Sequence, residues 1–179
     1  MLDSVKYWKD RYKQMGNVYV GDKRHDKETH ERFYQHKIEF LQKNIPDYSK
    51  VLDFGCGVGM FANLFDKTKY LGIDIIKTDF FESDYNTRLI KPYEKIEDEV
   101  DLVFSANVLQ HIENPELAIS SWNIKKGFIM LMENCKEQNH YTFGRRHIEY
   151  IEIISDLFNI KNTRYSYIGS NNVFINIEI

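Results

Sequence analysis

The stretch Val51-Leu52-Asp53-Phe54-Gly55-Cys56-Gly57-Val58-Gly59 constrains this chain more than any other. Val51 to Phe54 read as a short strand entering the interior. Three glycines follow at alternate positions, and Met60, Phe61, Leu64 and Phe65 then recur at helical spacing, which predicts a helix over 59–66. Strand, glycine turn and helix form the first half of a mononucleotide-binding unit. Glycine has no Cβ, so a ligand can lie against bare backbone there. The unpaired N–H groups of a following helix face the same spot and favour negative charge.

The elements around this stretch alternate. Val5, Trp8, Tyr12 and Met15 predict a helix over 3–15, ended by Gly16-Asn17, and a second helix is expected over 28–44 before Pro46. Residues 1–45 therefore read as a helical cap or lid, and 46–179 as a core domain. After the glycine turn, Tyr70 to Asp74 is a strand and Thr87 to Ile90 a weaker one. Val100 to Ser105 has the pattern of a buried strand and leads through Ala106 and Asn107 into a helix. Pro115 opens a further helix, which Lys125-Lys126-Gly127 is expected to close. Phe128 to Met132 is apolar throughout, as in a strand buried on both faces. A helix over 145–158 follows, then strands over 160–168 and 173–179 joined by the turn signal Gly169-Ser170-Asn171-Asn172. This order predicts an α/β protein with a mostly parallel seven-stranded sheet and a terminal β-hairpin that makes the last strand antiparallel.

Composition matters mainly for what it excludes. A chain of 179 residues, 42% hydrophobic and 15% aromatic, has enough apolar material for one domain core. The formal net charge of −3 gives no general attraction to nucleic acid. Residues 1–50 carry 11 Lys and Arg against 8 Asp and Glu, so a local balance of +3 sits on the cap. No apolar run reaches membrane-spanning length, and the N-terminal residues lack the apolar core of a signal peptide. Cys56 and Cys135 show neither metal spacing nor a disulfide framework, and His25, His30 and His36 lack ligand spacing. The expectation is a cytoplasmic protein with no metal.

Three ligand classes suit a glycine-rich first turn. A P-loop needs Lys-Ser/Thr after its last glycine, and here Met60-Phe61 follow Gly59. A dinucleotide fold wants a third glycine or an alanine at position 60, together with a second half and a substrate domain. S-adenosylmethionine needs no lysine for a phosphate. Its ribose hydroxyls suit Asp74, which ends the second strand 21 positions after Asp53. At the level of motifs, residues 51–59, Tyr-Leu-Gly-Ile-Asp-Ile at 70–75, Asp-Leu-Val-Phe-Ser-Ala-Asn-Val-Leu-Gln-His-Ile at 101–112 and Trp-x-x-Lys-Lys-Gly at 122–127 resemble the successive motifs of class I S-adenosylmethionine-dependent methyltransferases. Trp8-x-x-Arg11-Tyr12 is similar to the entry helix of some small members. The resemblance implies a three-layer Rossmann-like fold. It implies that Asp53 and the Gly55-Cys56-Gly57 backbone hold the methionine end of the cofactor, that Asp74 holds the ribose, and that Ile75 packs on adenine. It sets Ala106 and Asn107 close to the methyl group. One departure is visible: the acid that many members carry after the third strand is missing at Ile90-Lys91-Pro92.

Methyl transfer from a sulfonium is an in-line displacement of an activated group, so positioning carries most of the catalysis and no triad is required. A base serves only an acceptor that must lose a proton. His111 and Tyr141 are the candidates for that role. Arg145 and Arg146, two cations at a predicted helix N-terminus where the dipole disfavours them, suggest an anionic acceptor group, with His140 nearby and Lys23-Arg24-His25 in the cap. Residues 105–108 lack the (Asp/Asn)-Pro-Pro-aromatic motif of base-amine methylation, and no Pro-Cys nucleophile is present. A small-molecule acceptor is therefore expected. The alternatives are an RNA or cap-like acceptor and a non-catalytic binding module or partner subunit of the same fold.

Overall fold

The computed structural model describes residues 4–15, 27–135, 138–139, 142–143, 145–168 and 172–179. The expected His140, Tyr141 and Lys23-Arg24-His25 sites lie outside these residues.

The core is a sheet of seven strands: β1 (Val51–Phe54), β2 (Tyr70–Asp74), β3 (Thr87–Leu89), β4 (Val100–Ala106), β5 (Ile124–Asn134), β8 (Asn162–Ile168) and β9 (Asn172–Glu178). A separate two-stranded ribbon, β6 (Gln138–Asn139) with β7 (Thr142–Phe143), lies between β5 and the last helix. The order across the main sheet is β3-β2-β1-β4-β5-β9-β8. β1 to β5 pair in parallel, while β9 runs antiparallel to both β5 and β8. This is the predicted seven-stranded, Rossmann-like arrangement with its reversed last strand.

Strand alternation divides the core in two. Leu52 and Phe54 face one side with Val103, Ile129 and Leu131, under α3 (Pro115–Ser120) and α4 (His147–Leu157), which contribute Ala118, Ile119, Tyr150 and Ile154. Val51 faces the other side with Leu102, Phe104 and Met130, under Leu41 of α2 (Lys27–Gln42). The first helix, α1 (Ser4–Met15), lies at the carboxyl ends of the strands, where Trp8 meets His111 edge-on with ring centroids 4.9 Å apart. Among the described residues no helix is long and apolar enough to cross a membrane.

The helix expected after Ala106 and Asn107 is a single 3-10 turn at Leu109–His111, and two further helical features are corrected. The helix expected over 59–66 is a run of turns with a single 3-10 turn at Ala62–Leu64. Its first position, Phe61, offers no side-chain cap, and Asp66 instead accepts the Thr68 N–H to start the next turn. A helix so short and uncapped is unfavourable by itself. Its apolar residues reach the core without it: Phe61 and Phe65 pack on Phe104 at 5.6 and 5.3 Å between ring centroids.

The second correction concerns Lys125-Lys126-Gly127. These residues do not close a helix, because α3 ends at Ser120 and they lie inside β5. The register shifts between Val100 and Leu102, so that Ile124 and Phe128 pair where only two steps of β4 lie opposite. Gly127 absorbs this bulge at φ +125°, and its N–H and carbonyl both pair with Ile179. A Cβ there would overlap the Asp101 carbonyl, which belongs to the backbone and cannot swing away. Gly127→Ala is therefore expected to destabilise the fold by about 2 kcal/mol or more. Urea unfolding would register this as a lower midpoint with an unchanged slope.

Candidate active site

The order of strands reverses between β1 and β4, whose exits are followed by Gly55 and by Asn107. Ligands of open α/β sheets bind outside the carboxyl ends of the strands at such a reversal. Gly55, Gly57 and Gly59 all have positive φ (77°, 55° and 74°), so the chain turns sharply three times within five residues. The turn is held from behind by the Gly55 and Cys56 N–H groups, both donating to the Ile73 carbonyl at 2.8 and 3.0 Å. Thr78 adds a hydroxyl bond to the Gly57 carbonyl at 2.7 Å.

Asp74 closes the front. One carboxylate oxygen accepts the Gly57 N–H at 2.9 Å and the other accepts the Ile76 N–H at 2.9 Å, with the Ile75 N–H as a further donor. The glycine turn of β1 and the acid of β2 are thus directly joined. Burial raises the Asp74 carboxyl to about 6, against the pull of these N–H groups. Ile75 is half-buried at the edge of the core, and Ala106 packs at the edge of the opposite cluster.

Asp53 lies deeper, 4% exposed, and accepts the Tyr70 hydroxyl at 2.6 Å. Burial lifts its carboxyl to about 7, with the Tyr70 bond opposing and the Asp74 charge reinforcing the shift. Burial also pushes the Cys56 thiol upward, so it is a protonated, inert group. The described hydrogen-bond partner of Asp53 is thus a side chain of β2 and not the backbone of the turn. Its partner Tyr70 packs against Phe80 and Tyr85, at 6.3 and 5.2 Å between centroids.

The exit of β4 forms the opposing wall. Asn107 has φ 57° and donates its N–H to the Met132 carbonyl at 2.7 Å. The Val108 side chain fills the space that a Cβ on Gly55 would need. From above, the Tyr12 hydroxyl of α1 lies 2.9 Å from where a Cβ on Gly57 would stand. Burial, then the charge of Asp74, raises the Tyr12 phenol, which keeps its proton. Between α1 and the segment after β2 lies a cavity of about 760 Å³, lined by residues including Lys9, Tyr12, Lys13, Ile76 and Thr78.

His111 ends a 3-10 turn after β4, half-buried, with its Nε2 3.1 Å from the Gln110 Nε2. It adjoins the Trp8 ring of α1 and stands at the rim of the site. The two arginines have partners within the chain. Arg145 donates to the Ile112 carbonyl at 2.8 Å and to the Glu113 carbonyl. Arg146 is the N-cap of α4, its N–H bonds Glu149 Oε2 at 2.6 Å, and its guanidinium lies 3.6 Å from the same carboxylate. The dipole mismatch at this helix end is offset by Glu149 of the chain itself, so it gives no reason to invoke an anionic ligand.

Sequence reading missed Glu133. It is fully buried at the end of β5 and accepts three consecutive N–H groups, from Val108, Leu109 and Gln110 at 3.2, 3.1 and 3.1 Å. Burial raises its carboxyl to about 7, with those three bonds pulling the other way. An acid directly after the apolar run Phe128 to Met132 was the available signal, because a buried carboxylate needs donors.

Comparison with known proteins agrees with this geometry. A family model described as a methyltransferase domain matches residues 26–153. Comparison with curated proteins gives no significant match. Among solved structures, a SAM-dependent methyltransferase from Thermotoga maritima, described as a possible histamine N-methyltransferase, aligns with TM-score 0.73 and 12% identity over 99% of both chains. Magnesium protoporphyrin IX methyltransferase from Synechocystis PCC 6803 with bound SAM aligns with TM-score 0.67 and 17% identity, over 99% of this chain and 98% of that one. For a candidate O-methyltransferase from Nostoc punctiforme the TM-score is 0.66 at 13% identity, and the match covers 83% of this chain but only 57% of that one. At such identities the likeness is one of fold. The family match spans more than two thirds of the chain, and with it the chain belongs to the methyltransferase domain family as a class I, Rossmann-like, S-adenosylmethionine-dependent member.

Proposed function

We propose that this chain methylates a small-molecule acceptor, with the cofactor lying across the carboxyl ends of β1, β2 and β4. The observation that carries the reading is the direct bond from the Gly57 N–H to the Asp74 carboxylate, which makes the glycine turn and the β2 acid one binding surface.

The residues fit S-adenosylmethionine. A carboxylate has about four acceptor positions, and three backbone N–H groups engage that of Asp74. Capacity remains for a ribose hydroxyl. The turn from Gly55 to Gly57 presents bare backbone to the methionine end, and Asp53, tied to Tyr70, lies two residues before it. Ile75 offers an apolar surface to adenine. β3 ends at Leu89 in register with Asp74, so the segment without an acid is the one that follows it, and adenine recognition falls to backbone groups. Ala106 and Asn107 face the reacting end. The cap reading of residues 1–45 is supported by Tyr12 over Gly57 and Trp8 against His111.

When bound, S-adenosylmethionine supplies a methyl group already activated on a sulfonium. The chain's contribution is alignment and exclusion of water, and alignment alone is worth up to roughly 7–11 kcal/mol in favourable systems. In this reading His111, beside Trp8, takes a proton from an acceptor entering under α1. His111→Gln is then expected to lower turnover about tenfold or more on an acceptor that must ionise, with cofactor affinity unchanged. Equal loss of both would assign His111 to packing against Trp8.

The test is S-adenosylhomocysteine release in the presence of S-adenosylmethionine and panels of small alcohols, phenols, amines and carboxylates, beside a panel of RNAs. The proposal expects turnover with one small-molecule class. Turnover on RNA alone would reverse the acceptor assignment, and tight cofactor binding without turnover on either panel would favour a binding module.

A further inference from the structure

The loop that leaves β4 carries Asn107 and Val108 into the site, and its backbone is gripped from two sides. From β5, the Glu133 carboxylate takes the three N–H groups of residues 108–110. From the segment before α4, the Arg145 guanidinium takes the carbonyls of Ile112 and Glu113. The Gln110 side chain adds a third tie, accepting the Asn134 N–H at 2.6 Å. One acidic side chain thus takes the N–H groups of 108–110 and one basic side chain the carbonyls of 112 and 113, on either side of the turn that bonds His111 to Val108 and Ile112 to Leu109.

A single 3-10 turn at Leu109–His111 is all the regular structure the loop has of its own, and buried backbone groups left without partners are costly. What the loop touches gives the grip its consequence. Val108 lies directly on Gly55, and His111 lies directly on Trp8 of α1. If the loop shifts, the wall of the glycine turn and the seat of the cap shift with it. Neither Glu133 nor Arg145 is among the residues that meet the cofactor in the proposed reading.

We propose that Glu133 and Arg145 are positioning residues that clamp the 107–113 loop against the glycine turn and so set cofactor affinity without touching the cofactor. The proposal rests on the methyltransferase reading for its ligand. Arg145, expected to meet an anionic acceptor, acts on the loop backbone instead. Glu133 supplies acceptors that no neutral side chain of its size supplies: in Glu133→Gln an amide N–H₂ faces one of the three backbone donors.

The test compares Glu133→Gln, Arg145→Met and the control Ile177→Val, which trims the core under β9 away from the loop. Amide spectra of the ligand-free proteins and calorimetric titration with S-adenosylhomocysteine are measured where unfolding curves show each variant fully folded. Both clamp variants are expected to shift the Gly55 and Gly57 amide signals and to weaken binding roughly three- to tenfold, while the control does neither. Arg145→Lys, which keeps one donor group, is expected to fall between Arg145→Met and wild type. Unmoved glycine signals with wild-type affinity in both clamp variants would reduce the two residues to stability alone and overturn the proposal. If Glu133→Gln does not fold, Arg145→Met decides. If the wild-type protein binds no S-adenosylhomocysteine, the cofactor reading fails, and the amide shifts still judge the clamp.

Discussion

Asp74→Ala is expected to lower affinity for S-adenosylhomocysteine by about tenfold or more, with little loss of fold stability. A charge-assisted bond to a hydroxyl contributes roughly 1.5–3 kcal/mol, or about ten- to a hundredfold in affinity. The substitution removes that bond and also releases the Gly57 and Ile76 N–H groups that the carboxylate holds at 2.9 Å. The glycine turn then loses its front support as well as the ligand its anchor. Gly57→Val approaches the same site from the other side. At φ 55° a β-branched residue is strained, and its Cβ would stand 2.9 Å from the Tyr12 hydroxyl. It too is expected to cost about tenfold or more in affinity. Calorimetry on the two variants checks both effects, and unchanged affinity in both would remove the cofactor from this turn.

The second large effect is an inverted pH dependence of stability. Asp53 rises from 3.8 to about 7 on folding and Glu133 from 4.5 to about 7, with burial the leading cause in each. The folded state therefore binds these protons more tightly than the unfolded chain. Their contribution is complete below the unfolded values and is lost as pH rises to about 7. A shift of this size at one buried group corresponds to something on the order of 3–4 kcal/mol. Asp98 and Asp101 act in the opposite direction, since ion pairing and hydrogen bonding lower their carboxyls and acid removes that gain. Both are half-buried, and their window lies near and below pH 4. Urea midpoints are thus expected to rise as pH falls from 8 toward 5. Asp53→Asn keeps an acceptor for the Tyr70 hydroxyl but cannot ionise, so it should flatten much of that slope. A wild-type midpoint that falls steadily over this range would show that neither group is buried as described.

The parts of the site legible in the sequence were those encoded by neighbours in the chain. The three glycines, the apolar strand before them and the acid ending β2 all report local geometry, and Gly57 and Asp74 meet as their spacing suggests. The sheet order was also readable, because a buried strand at 100–105 and a hairpin signal at 169–172 leave few parallel arrangements. What failed depended on partners far along the chain. Met60 to Phe65 has helical spacing, yet its aromatics are satisfied by Phe104 without a helix. Lys125 to Gly127 has the pattern of a helix end, yet pairing with Ile179 and the bulge against β4 place it in a strand. Arg145 looked like a cation in need of an anion, and it is occupied by carbonyls 32 and 33 positions away in sequence. Glu133 shows the same limit, since its three donors lie 23 to 25 positions earlier.

A crystal structure of the protein grown with S-adenosylhomocysteine tests whether the cofactor lies against the glycine turn and Asp74. The ribose hydroxyls are expected at the Asp74 carboxylate, the homocysteine end along the Gly55 to Gly57 backbone, and the sulfur turned toward Ala106 and Asn107. A ligand seated away from Asp74, or a glycine turn that stays empty at saturating ligand, would contradict this placement.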